Sequence, residues 1–323
     1  MNRRIAAAWT TAFLLAIAAT ASGGEVARPE FLSRPTTRIE LDELEELRQK
    51  LRAAEVEIER ITSGQPVLPV SYFQADGSSG AGGGSAAGQG GDLARKSQNP
   101  ISDLVSLPLQ SNFDIGFEPG NRTRYVGNLQ PVVPVKLNEQ WNLVNRIIVP
   151  FVNAPIGPDN RSDGIGDSIG QFFFSPRKPD RVIWGVGPVV LFPSATDSTL
   201  GVQEWGVGIT GVALISEGPI VTGAVIHQIW SVDGATKPFF LQPFFNYNLS
   251  NGWFLSTSGE FIADWELPDS RRRSIILGGG IGRVFPVFGQ PMNVSVRFAP
   301  YLERPQGGPD WQFRLQVVLL FPK

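Results

Sequence analysis

From Trp311 to Phe321 every second residue is apolar: Trp311, Phe313, Leu315, Val317, Leu319 and Phe321. The residues between them are Gln312, Arg314 and Gln316, followed by Val318 and Leu320. Side chains on a strand alternate faces with period two, so this stretch has one wholly apolar face with aromatics at both ends and one face carrying an arginine and two glutamines. A transmembrane strand of about 9–11 residues with aromatic girdles has this pattern. An edge strand of a soluble sandwich is the alternative reading of the stretch taken alone.

The same alternation recurs. Trp141, Leu143, Ile147, Val149 and Phe151 oppose Asn142 and Arg146, and Met292, Val294, Val296 and Phe298 oppose Asn293, Ser295 and Arg297. Leu255, Thr257, Phe261 and Trp265 oppose Ser256, Ser258, Glu260 and Asp264. Strand segments are expected at 104–117, 123–135, 141–152, 168–175, 181–193, 204–216, 219–230, 239–249, 252–265, 273–285, 291–303 and 311–321, about twelve in all. The connections alternate in length. Long ones fall at 153–167, 194–203, 231–238, 266–272 and 304–310. Short ones include Asn138-Glu139-Gln140, Glu217-Gly218, Ser250-Asn251 and Gly289-Gln290. Outer-membrane barrels have short periplasmic turns and long outer loops, whereas nothing in a soluble sandwich demands that regularity. An even strand count leaves both ends of the domain on the short-turn side, with the last strand pairing the first. Prolines at 108, 131, 134, 150, 188, 243 and 300 run against this expectation, because proline lacks a ladder donor and a closed barrel has no edge.

Ahead of the strands, Arg3 and Arg4 precede an apolar run ending in Ala19-Thr20-Ala21, the pattern of a cleaved signal peptide over 1–21. After it no segment has 18 consecutive apolar residues, so a span of the bilayer requires a closed barrel. Leu44, Leu47, Leu51, Ala54, Ile58 and Ile61 form a heptad seam within 22–63. Self-association through this helix is the expected use, and docking of a lone amphipathic helix is the alternative. Residues 64–92, nearly all Gly, Ser and Ala from Gly77 to Gly91, are a flexible linker. The expected fold is therefore all-β: an antiparallel transmembrane barrel of about twelve strands over 93–323, preceded by a short coiled-coil-like α-helical segment and a Gly-rich linker.

The inventory of chemistry is thin. The chain has no cysteine and one histidine, which removes thiol nucleophiles and the usual zinc ligand sets. A net charge of −2 recruits no nucleic acid. His227 lies in a strand-like run with no G-x-S-x-G elbow nearby, so the expectation is a packed or lumen-facing histidine, no catalytic residue, no cofactor and no metal. Asp159, Asp163 and Asp167 sit in a Gly-rich loop, but Arg161 and Gly170 occupy positions where an EF-hand needs oxygen ligands. Gly278-Gly279-Gly280-Ile281-Gly282 has no following helix and reads as a place of curvature or close packing. What remains is the lumen. Alternation points Arg124, Asn128, Arg146, Gln242, Asn246, Glu260, Asp264, Arg297, Gln312, Arg314 and Gln316 inward. A lipid-facing Arg or Lys near the midplane would cost about 2–4 kcal/mol.

Several separated motifs resemble one family. They are Lys96-Ser97-Gln98-Asn99-Pro100, Ser106-Leu107-Pro108-Leu109-Gln110, Phe172-Phe173-Phe174-Ser175-Pro176, Ile183-Trp184-Gly185-Val186-Gly187-Pro188, Leu241-Gln242-Pro243-Phe244-Phe245-Asn246-Tyr247 and Gly308-Pro309-Asp310-Trp311. In this order they are similar to bacterial proteins of the meta-pathway phenol-degradation family, some called transporters or, misleadingly, neuromedin U. The resemblance covers about 92–323 and implies an outer-membrane barrel connected with aromatic-compound uptake; it carries over no site residues. The expected function is passive passage of small solutes, aromatic or apolar compounds among them, with outer-membrane lipid and the solute as partners and the N-terminal segment in the periplasm. The alternative is a structural barrel that tethers periplasmic partners through its helix.

Overall fold

The computed structural model describes residues 97–101, 103–156 and 160–322. The signal peptide, the heptad helix and the linker expected from the sequence lie outside the described residues.

Fourteen strands form one antiparallel sheet: β1 (Val105–Phe117), β2 (Arg122–Leu129), β3 (Val132–Lys136), β4 (Trp141–Ile156), β5 (Asn160–Ile165), β6 (Ser168–Pro176), β7 (Val182–Phe192), β8 (Gly206–Glu217), β9 (Ile220–Ser231), β10 (Pro238–Asn248), β11 (Trp253–Asp264), β12 (Arg273–Val287), β13 (Gln290–Glu303) and β14 (Trp311–Phe321). They make twelve staves. β2 and β3 lie end to end along one side of β4, separated by Gln130-Pro131, and β5 and β6 lie end to end along the other. The sheet closes where β1 meets β14 in an unbroken register from Val105↔Phe321 to Ile115↔Trp311. The terminal stretch that most constrains the fold is therefore the strand that closes the ring of described staves; β5, which pairs with β4 alone, keeps an open edge beside it.

The expected segments shift by one or two residues at their ends, with one correction. Residues 153–167 are not a simple loop, because β4 runs on to Ile156 and turns back through β5, pairing Ile156↔Asn160 to Phe151↔Ile165. This hairpin is mostly polar and exposed, so no apolar alternation marks it as strand; Arg161 Nε donates to Asn153 Oδ1 at 2.7 Å across it.

The prolines find their places in the ladder. Proline lacks one N–H, so it interrupts pairing toward one neighbour only. Pro188 pairs with Ile209 of β8 but sits in a gap of the β6–β7 ladder. Pro243 pairs with Ala224 of β9 and falls in the gap between Leu241↔Phe261 and Phe244↔Ser258. Pro300 pairs with Trp311, and β12 skips it between Ile276↔Tyr301 and Gly279↔Phe298.

The outer face is apolar. Leu109, Phe151, Val186, Ile209, Ile226, Leu255, Leu277, Ile281, Phe298 and Leu315 are all exposed there. The seven described tryptophans fall at the two rims of this band. Trp141, Trp184 and Trp253 stand at the end of the short connections, and Trp205, Trp230, Trp265 and Trp311 at the end of the long ones. Trp141 and Trp184 meet edge to face at 5.9 Å, and Trp265 joins Phe239 and Phe261 in a cluster on the opposite rim. An apolar band between two aromatic girdles is the surface of a strand-built membrane span. β1 begins and β14 ends on the short-connection side, as the even stave count requires.

Candidate functional site

All eleven residues expected to point inward are on the inner side of the wall, and all are buried; Arg146 is 1% exposed and Arg314 2%. They do not stand around an open passage. The interior is filled in three layers. Toward the long loops, Ile148, Ile169, Val189, Leu191, Ile229, Phe240, Ile262 and Ile276 form an apolar layer. Toward the short turns, Val132, Val144, Phe173, Val212, Leu214, Val221, Val225 and Phe244 form a second, with Phe254, Val284, Val318 and Leu320 beside them. Between the two lies a polar layer drawn from most staves.

The polar layer is one connected network. Asp114 takes Arg124 Nε and Nη2 on Oδ2, at 3.1 and 2.9 Å, and the Tyr301 hydroxyl and Gln312 Nε2 on Oδ1, at 2.9 and 3.0 Å. Glu260 Oε1 accepts from Arg297 Nη1 at 2.6 Å and Arg314 Nη2 at 2.9 Å, and both arginines also donate to Gln312 Oε1. Arg314 Nε donates to Asn112 Oδ1 at 2.7 Å, which also accepts from Gln110 Nε2. Gln130 Nε2 donates to Gln110 Oε1, and Gln130 Oε1 accepts from Arg146 Nη2 at 2.6 Å. Hydrogen-bonded steps thus run from Arg124 to Arg146 through side chains of β1, β2, β4, β11, β13 and β14 and of Gln130. A buried ion is tolerated only with such partners, because desolvation costs several kcal/mol per ion.

Five of the eleven lie outside that chain of contacts or at its margin. Gln242 Nε2 reaches Glu260 at 3.5 Å, and Asn246 and Gln316 lie nearer the short turns. Asn128 is opposite Gln110 in the β1–β2 ladder. Asp264 serves the wall's upper end instead, accepting the Thr236 hydroxyl and the backbone N–H groups of Lys237 and Glu266.

Both ends of the barrel are covered by chain. At the short-turn end, Ser97–Ile101 and Leu104 turn into the lumen and are buried. Gln98 and Asn248 exchange two amide hydrogen bonds of 3.0 Å, and Asn293 Nδ2 donates to Ser97 Oγ at 2.8 Å. Ile101 packs among Val132, Val144 and Phe173. At the other end the 193–205 connection folds over the mouth. Leu200 packs on Val126, Val152 and Ala154, and Asp167 holds the connection by accepting the backbone N–H groups of Ala195 and Gln203 at 2.9 Å each. Asp167 therefore organises backbone, and among the described residues no acidic or histidine cluster suited to a metal occurs.

His227 is buried in the polar layer, stacked on Phe240 at 5.1 Å, with Nδ1 3.1 Å from Gln171 Nε2. The glycine run on β12 faces the lumen at Gly278, Gly280 and Gly282. A Cβ at Gly280 would come within 2.2 Å of the Val296 carbonyl oxygen, so β12 and β13 approach there as only glycine allows. Beside this thinned wall is a cavity of about 50 Å³. Arg297, Arg314, Gln242, Ser256, Ser295 and Gln316 are among its lining residues.

Sequence reasoning missed Asp114, Asn112, Gln110, Gln130 and Tyr301. The first three alternate along β1 with Leu109, Phe113 and Ile115, broken only by Ser111, and that signal could have found them. Gln130 sits at a strand break, where alternation has no meaning, and Tyr301 looks like one more girdle aromatic.

The fold and interior define a class: a closed antiparallel barrel of twelve staves with a lipid-compatible outer band and an ionised, hydrogen-bonded inner layer. No family model matches the chain, and no curated protein does. Among solved structures it is similar to the COG4313 outer membrane channel from Pseudomonas putida F1, at 14% identity and a TM-score of 0.52, over 68% of this chain and 96% of that one. It also aligns with the CymD monoaromatic hydrocarbon channel, at 9% identity and TM-score 0.45 over 78% and 99% of the two chains. The NanC porin aligns at 8% identity and TM-score 0.44 over 67% and 100%. The first likeness is one of fold.

Proposed function

We propose that this chain is a bacterial outer-membrane channel for small solutes, closed in the conformation described. The observation that carries the reading is the polar layer. A barrel that only had to be filled is served equally well by apolar side chains, as the layers above and below it show. Buried ion pairs give no more stability than hydrophobic replacements, so their presence at membrane depth asks for a use. Among the described residues the layer is spanned by side chains alone, and rotamer changes at Arg146, Gln130, Gln110 and Arg314 would part it. The barrel fold shared with an outer membrane channel supports the same reading.

Aromatic or otherwise apolar compounds are the solutes we favour. The lumen presents Phe173 and Phe244 on one side of the polar layer and Phe240 on the other. The motifs resembling the meta-pathway phenol-degradation family lean the same way, and Gln98, Gln110, Phe173, Gln242, Phe244 and Asn246 are among their residues in the buried interior. The barrel would stand with its short turns, and with them the N-terminal segment, in the periplasm. Liposome swelling and planar-bilayer recording on the refolded mature chain test the channel. Solute-dependent swelling or discrete conductance is expected, and folded protein that gives neither overturns it.

The second reading is a structural barrel that tethers periplasmic partners through its N-terminal helix. The filled lumen favours it. Deleting residues 22–91 separates the two readings: a channel keeps its flux, whereas a tether loses its partner.

A further inference from the structure

We propose that Arg283, on the outer face of β12, holds the phosphate of one anionic glycerophospholipid from the leaflet at the short-turn end; the proposal rests on the outer-membrane reading for the presence of that leaflet. Arg283 lies opposite Trp253 in the β11–β12 ladder, level with the aromatic girdle at the short turns. Along β12 the residues of the same parity are Leu277, Gly279, Ile281 and Phe285, so a cation interrupts an otherwise apolar face turned to lipid. Its guanidinium carbon is 5.2 Å from the centre of the Trp253 ring and 5.8 Å from that of Phe285. Attraction between the cation and the two rings holds the planar group at the surface. Nε donates to the backbone oxygen of Asn251 at 3.3 Å, and among the described residues the two terminal nitrogens make no hydrogen bond and meet no carboxylate. Elsewhere at the short-turn end arginines are paired: Arg177 meets Glu139 and Arg181 meets Glu217. Arg283 thus keeps its donor fork for something outside the chain.

Position and charge select the occupant. The apolar outer surface continues past Arg283 to Phe285 and on to Phe288, which is fully exposed at the turn between β12 and β13. The interfacial layer therefore reaches beyond the arginine, and lipid headgroups surround it. Toward mid-membrane Ile281, Leu255 and Leu277 are exposed. Gly279 leaves a notch between Ile281 and Leu277, where the nearest atom to an added Cβ would be the Ser256 carbonyl oxygen at 3.7 Å. A phosphate diester seated on the guanidinium fork can lay an acyl chain along that strip, whereas a free phosphate ion gains the fork alone. The fork fits two phosphate oxygens at once. Because no carboxylate offsets the guanidinium, a headgroup of net negative charge, such as phosphatidylglycerol, suits it better than a zwitterionic one that carries its own cation.

The test is native mass spectrometry of the refolded mature chain in micelles, titrated with dioleoyl phosphatidylglycerol and, separately, with dioleoyl phosphatidylcholine. The first phosphatidylglycerol should bind about fivefold tighter than the first phosphatidylcholine, the factor that one cation near an anionic lipid surface supplies. Arg283→Gln should bring the two lipids level. Trp253→Leu, which keeps the charge and removes a stacking ring, should lower the preference to about twofold or less. Arg181→Gln, at an arginine already paired with Glu217, should leave the preference in place. Arg283 and Trp253 are both exposed, and folded bands on unheated gels check that each variant keeps the barrel. No preference in the unaltered chain overturns the proposal, as does a preference that survives Arg283→Gln or falls equally in Arg181→Gln. Displacement of the lipid by an equal concentration of inorganic phosphate would mark a plain anion site, and an Arg283-dependent dimer in place of bound lipid would mark a contact between copies; either overturns it. Because binding is read on folded chain in micelles, its failure is distinct from absence of flux in vesicles.

Discussion

Arg314 of β14 places Nη2 2.9 Å from Oε1 of Glu260 on β11, two staves intervening. The same oxygen accepts Arg297 from β13, so one carboxylate ties three staves together inside the wall. Glu260→Ala removes the anion and leaves two guanidinium groups buried, which should destabilise the barrel by about 3–5 kcal/mol. Urea unfolding from vesicles, followed by tryptophan fluorescence, measures the loss. The combined Glu260→Met, Arg297→Met and Arg314→Met variant should lose far less, because no charge is left unpaired.

The segment ahead of β1 should act as a stopper. Gln98→Ala together with Asn293→Ala removes the hydrogen bonds that hold Ser97 and Gln98 in the lumen, each contributing about 0.5–1.5 kcal/mol. Single-channel recordings should show more frequent or larger openings than the unaltered chain. Equal open probability would count against a stopper.

Leu315 and Gln316 are neighbours on β14 with opposite exposures. Leu315→Arg places a cation on the lipid side near mid-strand and should cost about 2–4 kcal/mol. Gln316→Arg places the same cation on the inner side, beside the cavity, and should cost much less. Paired unfolding measurements read the difference, and equal costs would mean that the outer face is not in lipid.

Gly280→Val should abolish folding rather than weaken it. The new side chain would meet the Val296 backbone oxygen at 2.2 Å, and backbone cannot give way as a side-chain tip can. On unheated gels the variant should lack the fast-migrating folded band. Gly279→Val should retain that band, because the nearest atom to its Cβ is the Ser256 carbonyl oxygen at 3.7 Å.

Local alternation made most of the wall legible. Strands such as β4, β11, β13 and β14 carry apolar residues on one parity and polar residues on the other, and membrane insertion demands that pattern of each strand separately. The β5 hairpin was missed for the complementary reason: Asn160–Ile165 is largely exposed beyond the apolar band, where nothing selects parity. The prolines looked like objections to closure. They became compatible with it once the ladders showed each gap to open toward one neighbour only, which depends on pairing and not on the strand's own residues.

The sequence by itself determined that the chain alternates, in about twelve segments with long and short connections in turn, and which side chains point inward. Tertiary structure decided what those inward side chains do. Arg314 meets Glu260 and Asn112, Asp114 meets Tyr301, and Ser97 meets Asn293 only because the sheet closes on itself and brings together residues that lie far apart in the chain. Parity is a property of one strand. Whether a lumen is open or filled is a property of all its walls at once, together with the chain that enters it before the first strand begins.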